Sequence, residues 1–176
     1  QLLWLARLRR DRELSMVETD FALDAALKRY HDAINRQKIT IVRDRLPVTI
    51  GEQAWVTEVL ANLIGNAVKY IGNDNRAPQI EIFYEPQQND MVRISIRDNG
   101  VGIDEQAQST IFQIFKRAQH GEVYGHGLGL ALVEQMVARM NGQVGVNSSV
   151  GQGSTFWFTL QLYASESIRE QPRRNA

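Results

Sequence analysis

Four short stretches carry residue types and spacings able to do chemistry. In "NLIGNAVKY", Asn62 and Asn66 are four residues apart, and Lys69 and Tyr70 follow one turn later. On a helix these residues share one stripe, while Leu60, Leu63, Ile64 and Ala67 turn toward a core. Two amides and an ammonium on one stripe can hold a hydrated magnesium ion and the phosphates it bridges, since magnesium takes oxygen ligands and keeps several waters. Taken alone, the stripe equally fits a solvated polar face. In "DNGVGI", residues 98–103, an aspartate ends a strand and glycines follow. The carboxylate stays low in a pocket while the chain turns away, and it can accept a hydrogen bond from an exocyclic amine. The same residues also make a plain turn.

The third stretch, "YGHGLGLALV", places Gly125, Gly127 and Gly129 just before an apolar helix. Glycine there lets an anion approach the backbone and the free N–H groups of a helix start. The alternative is a flexible loop leading into a helix. The fourth, "GQGSTF" at 151–156, is a glycine turn entering a strand and by itself reads as a tight hairpin. Two common phosphate loops are absent: "GHGLGL" lacks the preceding strand and spacing of a dinucleotide fingerprint, and no Gly-Lys-Ser/Thr loop occurs.

The elements that must position these residues are legible from periodicity. Leu23, Leu27, Tyr30 and Ile34 recur at helical spacing, with Asp20 as the expected cap. "KITIVRD" predicts a strand, "PVTIG" a short extended piece, and residues 52–71 the strongest helix. "QIEIFYE" and "MVRISIRD" predict a hairpin joined by "PQQND". A helix using Leu130, Val133, Val137 and Met140 stops at Asn141-Gly142. "QVGVNS" and "STFWFTLQL" close the pattern as two strands. The sum is an α+β fold: two layers, with a mixed, mostly antiparallel sheet backed by helices.

Composition narrows the class. The chain has 176 residues, with 20 Lys+Arg against 20 Asp+Glu, so no global field points to nucleic acid or a membrane surface. It has no cysteine, which excludes disulfides and thiolate metal sites. No apolar run reaches the length of a membrane span and no signal-peptide pattern occurs. The expected organisation is a basic amphipathic helix end over 1–18, one domain over 19–163 and a polar tail over 164–176.

Read in order, the four stretches resemble the N, G1, G2 and G3 boxes of the ATP-binding domain of sensor histidine kinases, and "IFQIFKR" is similar to the family's F box. The match covers residues 55–160, and "LLWLARLRR" is similar to the end of the dimerisation domain's second helix. The resemblance implies the Bergerat fold shared with gyrase, Hsp90 and MutL, with ATP and Mg2+ bound between sheet and helices. It implies that Asn66 holds the magnesium, Asn62 lines the same face, Lys69 reaches phosphate and Tyr70 packs near the nucleotide. Asp98 would take the adenine amine, with Gly100, Gly102 and Ile103 shaping the pocket. Phe115 and Arg117 would flank a lid over 116–124. Gly125, Gly127 and Gly129 would face the phosphates, Leu128 would pack, and Thr155 would support the pocket floor. His126 departs from the family's usual Ser or Thr; it either contacts phosphate or caps the turn.

Asn62 separates the members of the fold. Its place is held by a glutamate in the ATPases and in the related serine kinases, and an amide accepts no proton at neutral pH. The resemblance therefore implies transfer of the γ-phosphate to a histidine with weak hydrolysis. His31, His120 and His126 all lack the acceptor context, so the acceptor is expected on a dimerisation domain upstream of Gln1. A receiver domain would be the next partner, the parent a homodimer, and the domain cytoplasmic. The rival expectations are a non-catalytic nucleotide-binding module and a gyrase- or Hsp90-type ATPase.

Overall fold

Helix α1 (Thr19–Arg36) buries Ala22, Leu23, Ala26 and Ile34 and packs on α2 (Gln53–Lys69), as its spacing predicts. The computed structural model describes residues 13–112 and 129–163. Asp20 does not cap α1. The helix starts after Glu18, without a side-chain cap, and Asp20 Oδ1 instead accepts from the Arg43 guanidinium (2.5 Å) and the Leu46 N–H (3.0 Å). That ties the first turn of α1 to the segment after β2 (Thr40–Arg43). Helix α2 is capped by the Glu52 carboxylate, which accepts from Trp55 N at 2.7 Å.

The sheet has seven strands among the described residues, in the order β1-β3-β7-β5-β4-β2, with β6 also alongside β7. Its members are β1 (Ser15–Val17), β2, β3 (Thr49–Gly51), β4 (Gln79–Pro86), β5 (Met91–Asp98), β6 (Val144–Ser149) and β7 (Gly153–Leu162). Only β2–β4 is parallel; the other pairings are antiparallel. The two-layer, mostly antiparallel α+β arrangement is the one expected. Residues 15–17, expected to belong with the preceding basic segment, form an edge strand of this sheet.

Period-two alternation fixes which face is covered. Ile80 and Ile82 of β4, Val92, Ile94 and Ile96 of β5, and Phe156, Phe158 and Leu160 of β7 are all buried. Helices α1, α2 and α4 (Gly129–Arg139) supply the opposing apolar residues, among them Leu60, Leu63, Ile64, Val133 and Met136. Just past the end of α4, Asn141, with a φ of 59°, lets Gly142 N reach back to Val137 O (2.9 Å). No helix among the described residues is long and apolar enough to cross a membrane. The far sheet face carries cation–aromatic pairs, Arg93 over Trp157 and Arg97 over Phe83.

Candidate functional site

Asp98 closes β5 on the helix-covered face, in the same register as buried Ile96 and Ile94, and is only 4% exposed. A carboxylate this deep needs donors. Its Oδ1 accepts from Gly100 N at 2.9 Å and from Ser154 N at 3.3 Å. Burial pushes its pKa above the ordinary carboxylate value, against the lowering effect of the Gly100 and Ser154 N–H groups. The result is a near-buried acceptor held at the end of a strand.

The glycines beside Asp98 are where main chain meets main chain. A Cβ at Gly100 would strike Tyr70 O and come within 3.0 Å of Ile71 Cα, and Val101 N donates to that same Tyr70 O at 3.1 Å. Gly102, at φ +71°, leaves no room for a side chain against the Ser149 carbonyl. The 98–103 segment is therefore wedged between the end of α2 and the β6–β7 turn. Ile103 anchors it: its N–H donates to Ser148 Oγ (2.8 Å), and that hydroxyl also meets Ser154 Oγ (2.9 Å). Gln108, at the end of the short helix α3 (Glu105–Gln108), donates to both Ile103 O and Ser148 O. Asn99 fastens the other side, donating to Ala77 O and accepting from Gln79 N.

On α2, Asn62, Asn66 and Lys69 are partly exposed along one side, with Leu63, Ile64, Ala67 and Val68 buried between them. Tyr70, 41% exposed, caps the helix and lies 4.9 Å from Lys69 Nζ across its ring. Asn62 Nδ2 donates to Glu58 O (2.8 Å) and Glu58 Oε1 (3.2 Å), which turns Oδ1 outward. Gly129, the first residue of α4, sits against that oxygen: a Cβ there would lie 2.7 Å from it. The polar stripe thus runs from the start of α4 at Asn62 to the Gly100 loop at Tyr70.

Tyr70, Asp98, Gly100, Gly102 and Ile103 are joined by these contacts, Asn62 and Gly129 meet each other separately, and Asn62, Asn66 and Lys69 share the stripe on α2 that leads to Tyr70. Thr155 is not part of the group. It pairs with Arg97, whereas Asp98 pairs with Ser154, so Thr155 projects from the opposite sheet face. Buried Ser154 takes the place expected for it. The parity that buries Phe156 and Phe158 could have identified Ser154 from sequence. Ser148, Asn99 and Glu58 carry no such signal, because their partners lie far along the chain or outside the quoted stretches. Phe115, Arg117, the 116–124 segment, Gly125, His126, Gly127, Leu128 and His120 lie outside the described residues. His31 is an exposed residue of α1, beside Asp32 and Asn35.

The donor set suits a nucleotide and a hard cation. Amide oxygens on α2 match magnesium better than a soft metal. No cluster of three His, Cys, Asp or Glu residues competes for it among the described residues. Asp98 offers a carboxylate to an amine, and Gly129 keeps the backbone bare beside Asn62.

Known proteins are similar to this chain in sequence and fold. Cyanobacterial phytochrome A of Nostoc sp. is 35% identical over 161 residues, 91% of this chain and 20% of its own length. The signal transduction histidine-protein kinase BarA of Escherichia coli is 33% identical over 144 residues, 78% of this chain and 15% of that one. The chain spans at most about a fifth of the length of these relatives. Full-length ShkA, solved in complex with AMPPNP, superposes with a TM-score of 0.76 at 29% identity, covering 92% of this chain and 34% of ShkA. The nucleotide-free catalytic domain of the histidine kinase ThkA shares the fold, with a TM-score of 0.71 at 20% identity over 86% of this chain and 97% of that domain. Residues 51–164 match the model of the histidine kinase-, DNA gyrase B- and HSP90-like ATPases, and the chain belongs to that family, with the fold and sequence of a sensor histidine kinase's catalytic domain.

Proposed function

We propose that this domain binds ATP with Mg2+ and hands the γ-phosphate to a histidine on a dimerisation domain of the same, homodimeric protein. From there the phosphate passes to the receiver domain of a response regulator. The adenine amine donates to the Asp98 carboxylate, which two backbone N–H groups hold in place. Ser154, rather than Thr155, lines that end of the cleft. Asn66 would hold the magnesium through its amide oxygen, Asn62 would line the same face, and Lys69 would reach a phosphate. The ion would neutralise phosphate charge when bound; the protein contributes position and a buried carboxylate for the adenine amine. A domain that draws on ATP in this way would work in the cytoplasm.

The observation that carries this reading is the contact of Asn62 Oδ1 with Gly129. An uncharged amide stands at the start of α4, where hydrolysis would need a base. Glu58, the only acidic residue within α2, is occupied by Arg29 (2.7 Å) and by Asn62. An imidazole acceptor brings its own nucleophilic nitrogen and needs no such base. The test mixes the chain with a separate dimerisation domain bearing the acceptor histidine and γ-labelled ATP. Acid-labile label on the acceptor is expected, with little phosphate released to water and no label on the chain itself. Rapid steady-state hydrolysis without transfer would contradict the reading.

A further inference from the structure

Arg29 and Glu58 lie outside every stretch singled out for chemistry, yet they end on Asn62. Arg29, on α1, donates to Glu58 Oε2 at 2.7 Å, and Glu58 Oε1 and O both accept from Asn62 Nδ2. Turning the Asn62 amide over would set its oxygen against a carbonyl and a carboxylate, three acceptors together. Glu58 therefore fixes the amide with its carbonyl outward, toward Gly129, 2.7 Å from where a Cβ there would stand. With Nδ2 engaged on Glu58, what Asn62 shows the cleft is an acceptor. An acceptor suits a cation or a cation-bound water and repels a phosphate oxygen.

We infer that Glu58, steadied by Arg29, is a positioning residue that makes Asn62 a metal-facing rather than a phosphate-facing side chain. This rests on the functional reading above. It couples α1, which contributes no residue to the cleft, to the metal end of the nucleotide site. Tyr30, the next residue on α1, presses on Gly65 between the two asparagines, so α1 and this stretch of α2 meet closely here.

The experiment compares the intact chain with Glu58→Ala and Glu58→Gln, titrating MgATP and, separately, adenosine in the presence of a chelator. Glu58→Ala is expected to weaken MgATP about tenfold and to leave adenosine unchanged. Glu58→Gln keeps an oxygen that can accept from Asn62 Nδ2, and its MgATP affinity is expected to stay within about twofold of the parent. A loss shared equally by adenosine and MgATP, or Gln as damaging as Ala, would show a role in packing or charge alone and overturn the inference. On the unmodified chain, the Asn62 side-chain N–H signals should remain hydrogen-bonded when MgATP is added; their release toward the nucleotide would also overturn it. If parent and variants bind neither ligand, the functional reading itself fails. If all bind MgATP equally, only the role of Glu58 fails.

Discussion

To take the proposed adenine amine the Asp98 carboxylate must be both ionised and buried, and those two requirements oppose each other. Its raised pKa means that the folded protein holds the proton more tightly than the unfolded chain does. The contribution to stability is therefore fullest below the ordinary carboxylate pKa and is lost as pH rises through the raised, folded value. At neutral pH the ionised group is a cost carried for binding. Asp98→Asn removes that cost while its Oδ1 can still accept from Gly100 and Ser154. The variant should melt higher than the parent at neutral pH, and the gap should shrink as pH falls toward the acid range. Calorimetric scans over pH check this; a gap that is constant or widens in acid contradicts it. The same substitution turns an amide N–H toward the adenine amine and should weaken ATP about tenfold to a hundredfold by titration calorimetry. Asp98 was legible only because "DNGVGI", which alone also reads as a plain turn, falls in order with the other boxes. The outward turn of the Asn62 amide was not legible, because Glu58 and Gly129 decide it through space.

At the level of elements, the site depends on close approach between helices and loops. Gly129 lies against Asn62, so Gly129→Ala must displace the amide, although alanine suits a helix by up to about 1 kcal/mol over glycine. Stability should hold or rise while MgATP affinity falls about tenfold; equal affinity in a titration would show that the contact is idle. Gly65 faces the Tyr30 ring across α1 and α2, with the ring carbon Cζ 2.7 Å from where a Cβ would stand. Gly65→Ala should destabilise the fold by about 1–3 kcal/mol through overpacking. Tyr30→Ala should relieve that strain, so the double variant is more stable than the sum of the two single effects, a coupling read from denaturant midpoints. Helices and strands were recoverable from periods of 3.6 and 2, because burial on one face enforces them. The failures were local. Asp20 is taken by Arg43 and Leu46 rather than by a helix cap, and buried Ser154, not its neighbour Thr155, shares the sheet face of Asp98. In both places a polar residue type fits two roles, and only the fold decides between them.

For the whole molecule, a neutral chain with an apolar core would build the proposed nucleotide cleft from three distant parts of the sequence: α2, the loop after β5, and the start of α4. Order along the chain made this assembly legible, since the boxes recur in the family's sequence, but the network of Ser148, Gln108 and Asn99 that clamps the loop is a product of folding. Because the nucleotide would bind the folded state alone, saturating MgATP should raise the melting temperature. The most direct measurement is titration of ATP into the isolated chain with Mg2+, repeated on Asp98→Asn. The account predicts saturable binding at one site per chain that requires Asp98; no binding by the parent chain, or binding that is indifferent to that substitution, would contradict it.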